Sequence, residues 1–312
     1  MQIMSPKFWA WPWELRRCGV LGINRRNLNY SFELNPSSLY RFTDNKVVTK
    51  TICKEQGIPV PETYAIIERF GELKNLSEII GQRLEFVVKP AGGSGGRGVL
   101  VIVGRNDGLF KTAKGQRISL TELRYHISTT LSGLFSLGGQ SDHVIIEQRI
   151  VPHPLFEGLA VQGTPDVRVI MHRGEPTMAM LRLPTSTSKG RANLHRGAVA
   201  AGINMETGET FGGVYRSRAV TTHPDSSASI EGIRIPSWNK ILEMAGKLVA
   251  AIKMGYVGVD IVLDAHEGPV VLEVNARPGL SVQIANRFGL LPMLERIDSE
   301  CSGLSQEALS WK

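Results

Sequence analysis

The sequence predicts an α+β chain, built from antiparallel hairpins and separate helices, on three observations. First, residues 255–279 read GYVGVDIVLDAHEGPVVLEVNARPG. Two apolar, β-branched runs flank the turn-like stretch from Asp264 to Gly268, which is a hairpin signal. Second, residues 84–103 read as two short strands around a glycine loop. Third, residues 43–57 and 238–254 carry helical apolar spacing, with helix start and stop residues at the first of them.

In chain order, residues 1–42 read as an irregular arm interrupted by Pro6, Pro12 and Pro36, with one short strand at Gly19–Ile23. A helix is expected from Thr43, a good N-cap, with Asp44 at its positive end and Gly57 and Pro59 beyond its stop. Val47, Val48, Thr51 and Ile52 form its apolar stripe. Residues 58–67 read as extended and 71–81 as a short helix. Strands are expected at Leu84–Lys89 and Val99–Val103, a helix over 119–132, and a strand at His143–Ile150. Asp166–His172 and Thr177–Leu183 read as a strand pair around Arg173-Gly174. Residues 184–197 read as a loop, followed by strands at Ala198–Asn204 and Phe211–Tyr215. The Trp238–Met254 helix then leads into the hairpin.

The 312 residues are 42% hydrophobic, enough for a large core or two to three subdomains. Net charge is +7 and the isoelectric point is near 9.4. That suits an acidic substrate as well as nucleic acid, and without a dense Lys/Arg block nucleic acid is the weaker reading. Three cysteines, Cys18, Cys53 and Cys301, make neither a metal spacing nor a disulfide framework, so a reducing, cytoplasmic setting is expected. The amino-terminal stretch lacks a continuous apolar core for a signal peptide, and no run is long enough to span a membrane. Phe8, Trp9, Trp11 and Trp13 are candidates for contact with a partner or a second copy of the chain. The simpler expectation is an arm packed on the body of the protein.

The hairpin concentrates the chemistry. Glu273 and Asn275 share one strand face. If Leu263 pairs with Val270, the same register sets Asp260 opposite Glu273 and Gly258 opposite Asn275. Two carboxylates and an amide oxygen then converge, a set that suits a hard divalent cation such as Mg²⁺. In FVVKPAGGSGGRG, residues 86–98, a strand delivers Lys89 to a five-glycine loop. Such a loop is either a flexible hairpin tip or a nest of backbone N–H groups around phosphate, with Lys89 and Arg97 adding charge. It is neither a Walker loop nor a dinucleotide fingerprint, because a strand follows it. Lys46 and Lys50 lie one helical turn apart and, taken alone, read as surface charges. Glu147 and Gln148 interrupt an apolar strand and mark either a solvated face or a hinge that meets an adenine ring. Asp166 and Arg168 are an ion pair or a ligand contact. Residues 189–198, KGRANLHRGA, hold Lys189, Arg191, Asn193, His195 and Arg196, a solvated basic loop or an anion-binding one. His195 has no Ser or Cys at triad-like spacing.

In this order the motifs resemble the ATP-grasp carboxylate–amine ligases, in particular the RimK-type α-L-glutamate ligase group, over roughly residues 43–295. The resemblance implies an ATP-grasp fold of two α+β subdomains clamping ATP: an arm (1–42), an ATP-grasp domain (43–295) with a lid at about 60–145 and a core at about 146–295, and a tail (296–312). It implies that Lys46 and Lys89 are phosphate lysines, that Gly93, Ser94, Gly95 and Gly96 form the phosphate loop, and that Glu147 and Gln148 are the adenine hinge with Ile150 beneath the base. Asp166 lies near the nucleotide, and Arg191 and Asn193 contact phosphate and metal. Asp260, Glu273 and Asn275 are the Mg²⁺ ligands, with Mn²⁺ the alternative. Arg168, His195, Arg196 and Arg277 surround the acyl phosphate or substrate. The implied reaction joins a carboxylate, glutamate or an acidic peptide, to an amine. A non-catalytic ATP-binding regulatory or scaffold module is the second reading. The departures are a front segment too short for the family's pre-grasp domain, and Arg277 in place of a small residue.

Overall fold

Among the described residues every strand pairing is antiparallel, and thirteen strands divide into two sheets that each need their own helical cover. The computed structural model describes residues 11–93, 95–136 and 139–309, with side chains as far as Cys301. Ser94, Phe8 and Trp9 lie outside the described residues.

The first sheet contains β1 (Thr63–Ile67), β2 (Phe86–Pro90), β3 (Leu100–Asn106), β4 (Leu109–Thr112), β5 (Arg117–Ile118) and β6 (Val144–Glu147), in the order β1-β6-β2-β3-β4-β5. The Leu120–Leu131 helix covers it with Leu123, Ile127 and Leu131, packed with Phe86, Val88 and Ile146. Its start is fixed by reciprocal capping: Glu122 N–H donates to Ser119 Oγ (3.2 Å), and Ser119 N–H donates to Glu122 Oε2 (2.7 Å).

The second sheet runs β11-β10-β9-β8-β7-β12-β13. Its strands are β7 (Asp166–His172), β8 (Glu175–Leu183), β9 (Val199–Ile203), β10 (Thr210–Tyr215), β11 (Arg218–Val220), β12 (Tyr256–Asp264) and β13 (Gly268–Asn275). One face packs on the Trp238–Ile252 helix through Ile241, Ala245, Leu248 and Ile252. Strand alternation sends the next residues to the other face. There Ile170, Met178, Met180 and Tyr256 meet the Ser281–Asn286 helix and Leu290, Leu291 and Leu294. The same face carries Asp166, Arg168, Arg182, Asp260, Glu273 and Asn275 further along the strands. Thus half of it is apolar and covered, and half is charged.

The hairpin pairs as expected where it matters, with Asp260 opposite Glu273 and Gly258 opposite Asn275. The turn end differs: Leu263 pairs with Pro269 and Val262 with Val270, and a bulge between Asp260 and Ile261 restores the register.

The amino-terminal reading needs correction. Gly19–Ile23 is not a strand. Leu21 N–H donates to Gln283 Oε1 (2.7 Å), and its carbonyl accepts from Gln283 Nε2 (3.1 Å), so a side chain serves the backbone that a neighbouring strand would otherwise pair. The segment is helical on both sides, at Pro12–Arg17 and in a π-helical stretch, Arg26–Ser31. Leu21 and Tyr30 are buried, whereas Trp11 and Trp13 stack on each other at 4.8 Å and stay exposed. Thr43 lies inside a separate short helix, Arg41–Asp44, and the helix expected to begin there is Lys46–Glu55. Asn45 holds extended angles and its Oδ1 accepts from Val47 N–H (2.9 Å), making it the cap. Its buried residues are Thr49, Lys50 and Cys53 rather than the expected apolar stripe. Among the described residues no helix is long and apolar enough to cross a membrane.

Candidate functional site

The first half of the site follows from burying a carboxylate in the middle of the first sheet. Glu147 is 3% exposed, and a charge so placed needs partners. It has two: Lys50 Nζ and Lys89 Nζ each stand 2.5 Å from one of its oxygens. Lys89 arrives on β2, beside β6. Lys50 arrives on the helix, so the ion pair fixes the helix to the sheet and explains why Lys50 is buried. Lys46, one turn earlier, donates to the carbonyl oxygens of Gly93 and, at 3.4 Å, Ala91. Two lysines therefore meet one glutamate, a third lies beside the glycine loop, and the surplus is positive.

Burial lowers the pKa of Lys50 to about 8 against the pull of Glu147. Burial also lowers that of Lys46, opposed chiefly by Glu273. Burial acts to raise the Glu147 pKa, but Lys89 and Lys50 outweigh it and hold it below the ordinary glutamate value. A depressed folded pKa means stability that is present above the unfolded value and lost as pH falls through the folded one. Glu147→Gln is therefore expected to flatten the acid limb of Tm against pH below about pH 4.5. Parallel curves for wild type and variant would refute this role.

The second half lies on the charged part of the second sheet. Asp260 accepts Arg168 Nε on Oδ1 and Arg168 Nη2 on Oδ2, each at 2.6 Å, and Arg182 Nη2 lies 2.8 Å from Oδ2. Arg182 also holds both oxygens of Asp166. Asp166 thus pairs across strands with Arg182, not along its own strand with Arg168. Asn275 Nδ2 bridges Asp260 Oδ2 (3.2 Å) and Glu273 Oε1 (3.5 Å). The three expected ligands do converge. Burial works to raise the Asp260 pKa, but Arg168 and then Arg182 overcome it and depress it well below the carboxylate range. No ion pair among the described residues includes Glu273.

The loops join the halves. Gly96 (φ +67°) lies where an added Cβ would stand 3.6 Å from Arg191 Nε, so the glycine loop and the basic loop touch. Gly93 and Gly98 tolerate no side chain: a Cβ would meet Pro90 at 2.3 Å and Phe135 at 2.5 Å. Gly95 (φ +64°) has open space around it.

Other expected residues are placed differently. Asn193 Oδ1 accepts His195 N–H (3.0 Å), capping a short turn, so its oxygen is occupied locally. His195 and Arg196 are exposed on that turn. Arg277 lies over the rings of Tyr40 (4.8 Å) and Phe32 (5.5 Å), which ties it to the amino-terminal segment. The hinge reading of Gln148 is corrected as well. Its N–H donates to Glu62 O (2.8 Å) and its Oε1 accepts from Glu62 N–H (3.0 Å), so that donor is not free for a base. Ile150 is half-buried. Two residues were missed by sequence reasoning: Lys50, treated as a surface charge, and Arg182. The signal for Arg182 was a lone arginine in the apolar run Thr177–Leu183, which a buried strand tolerates only with a partner.

The sequence model of the sugar-transfer associated ATP-grasp family matches residues 25–299. The chain belongs to this family. The match begins ahead of Thr43 and takes in the π-helical stretch. Among solved structures, this ATP-grasp chain is similar to the ligase PsnB bound to a minimal precursor (12% identity, 85% of this chain and 63% of that one, TM-score 0.46). It is similar to the D-alanine–D-alanine ligase from Bacillus anthracis complexed with ATP (16%, 86% and 69%, TM-score 0.46). It is also similar to a RimK domain ATP-grasp protein from Sphaerobacter thermophilus (16%, 84% and 69%, TM-score 0.46). The chain thus spans under two thirds of PsnB and somewhat more of the other two. No curated protein sequence matches it.

For an ATP-grasp chain the divalent cation is the group to test against the residues present. Among the described residues no three His, Cys, Asp or Glu side chains are grouped to hold a metal; the set here is two carboxylates and an amide. It fits a hard cation. Glu273 is in no ion pair, and Asp260 Oδ1 accepts one arginine N–H and keeps a lone pair. Asp260, Glu273 and Asn275 are the residues that would hold Mg²⁺.

Proposed function

We propose that this chain is an ATP-dependent ligase that joins a carboxylate to an amine through an acyl phosphate. The observation that carries the reading is that Lys46 holds the glycine loop at Gly93 and Arg191 meets that loop at Gly96, while Glu273 on the core hairpin acts on Lys46. Phosphate-seeking cations and cation-seeking carboxylates therefore lie close enough to act on one another. The substrate carboxylate attacks the γ-phosphorus of ATP, ADP leaves, and an acyl phosphate forms. The amine then attacks the acyl carbon, phosphate leaves, and the nitrogen gives up its proton to solvent. Lys46 and Lys89 offset phosphate charge, Arg191 closes over the loop, and Arg168 steadies Asp260. Mg²⁺ held by Asp260, Glu273 and Asn275 would supply neutralisation of phosphate charge. This is catalysis by positioning and electrostatics, and no covalent nucleophile is needed.

The surplus positive charge favours an acidic substrate such as glutamate or an acidic peptide. In this reading residues at about 60–145 act as the lid and those at about 146–295 as the core. The small number and wide spacing of the cysteines suit the cytoplasm. Because the family is described as sugar-transfer associated, amino sugars and sugar acids belong in the substrate screen.

The test is ADP release from ATP and Mg²⁺ with pools of amino acids, acidic peptides and sugar acids, followed by mass spectrometry of the product. Release that requires both an acid and an amine is expected. Asp260, already saturated on one oxygen, favours the second reading, a nucleotide-binding module without turnover. ATP-dependent stabilisation with no ADP from any pool would establish that reading instead.

A further inference from the structure

Buried polar atoms without a partner are few in folded proteins, and each needs a cause. Among the described residues the side-chain atoms of this kind are Arg26 Nε, Asn27 Oδ1, Ser31 Oγ, His172 Nδ1 and Tyr256 Oη. They gather in one corner of the molecule. Three belong to the π-helical stretch Arg26–Ser31, a type of helix that recurs at functional sites. His172 and Tyr256 pair across β7 and β12, and the Tyr30 ring stands 5.4 Å and 5.7 Å from theirs. The His172 ring is already held by Asp298 on its other nitrogen and bordered by Gly255, which leaves the other four atoms as the open set.

Arg26 is the unusual member. It is 7% exposed, and Ser31 and Tyr256 are fully buried. Its Nη1 donates to Pro278 O (2.8 Å), yet no ion pair among the described residues includes it. The neighbouring cation acting on it is Arg277, and Tyr256 beside it is a neutral phenol. A buried guanidinium without a carboxylate is costly unless an anion completes it. What the cluster leaves unpaired is one N–H of a cation and two hydroxyls, a donor set that matches a carboxylate. Asn27 Oδ1 adds an acceptor for an N–H beside that carboxylate, as at the end of a peptide.

The place is informative too. Tyr256, Gly258 and Asp260 alternate onto one face of β12. Pro278, which Arg26 holds, lies 2.8 Å from where a Gly258 Cβ would stand. The corner is therefore four residues, about 13 Å, along the strand from Asp260.

We propose that Arg26, with the hydroxyls of Ser31 and Tyr256, binds a carboxylate: the unreacting carboxylate of one of the two substrates, anchored at the far end of the face that handles phosphate. The role given to that carboxylate rests on the ligase reading, whereas the binding itself does not.

The test uses the whole chain without nucleotide, titrated with sodium succinate against sodium chloride at equal ionic strength, by calorimetry and thermal unfolding. Succinate is expected to raise the Tm of the wild type. Tyr256→Phe and Ser31→Ala are each expected to weaken its apparent affinity about tenfold, and Arg26→Met to remove it. If Arg26→Met does not fold, the two hydroxyl deletions carry the test. The proposal is overturned if succinate acts equally on wild type and variants or on neither, which would leave the corner to internal water. It is also overturned if inorganic phosphate stabilises and succinate does not. Succinate binding without ADP release from any pool would keep this site and sink the ligase reading. ADP release with both KM values unchanged in Tyr256→Phe would do the reverse.

Discussion

Glu273→Gln lowers ATP turnover in the ADP-release assay by about 10²–10³-fold and leaves Tm within about 2 °C of wild type. The two halves of that expectation come from the same geometry. Glu273 is half-buried, is in no ion pair among the described residues, and accepts a hydrogen bond from Asn275 beside Asp260 on its own face. Its neutral isostere therefore removes little that holds the fold. What it removes is one of two carboxylates available to a cation, together with the main charge opposing the burial of Lys46. The cation affinity of the variant, read with Mn²⁺ by electron paramagnetic resonance, falls in step with turnover. A variant that turns over ATP at wild-type rate would dismiss the hairpin as the metal site.

How much of this was legible in the sequence depends on how far apart the partners lie. Asp260, Glu273 and Asn275 could be placed on one patch because a two-residue period and a turn fix a hairpin locally. A bulge beside Asp260 did not disturb the answer, because it lies between the turn and the pairs that matter. Lys89 was legible as the last polar residue of an apolar strand entering a glycine loop. Lys50 was not, because a buried lysine and a solvated one have the same local sequence. The difference is made by Glu147, 97 positions away. Arg182 was hidden for the same reason, its partners Asp166 and Asp260 lying on two other strands. The strand expected at Gly19–Ile23 failed where a glutamine 262 positions on took the place of a neighbouring strand. Local pattern thus recovered elements and faces, and missed what distant side chains decide.

Asp260→Asn is expected to act on stability as strongly as Glu273→Gln acts on turnover. Asp260 is 2% exposed and is the acceptor for both Arg168 and Arg182. Neutralising it leaves Arg168 without its carboxylate and Arg182 with Asp166 alone. Breaking a buried ion pair from one side costs about 3–5 kcal/mol, a fall in Tm of roughly 10 °C. A double-mutant cycle separates lost pairing from lost packing. Arg168→Met should destabilise the wild type more than it destabilises Asp260→Asn, because in the second background the charge it removes is already uncompensated. Equal effects in the two backgrounds would show that the pair contributes packing only. The pH dependence gives an independent check. The arginines depress the folded Asp260 pKa, so its stabilisation is complete above the unfolded value of about 3.9 and fades as pH falls below it. The stability gap between wild type and Asp260→Asn, constant near neutrality, should therefore narrow in acid. Retention of the full gap below about pH 3 would place the lost energy elsewhere than in the carboxylate's charge.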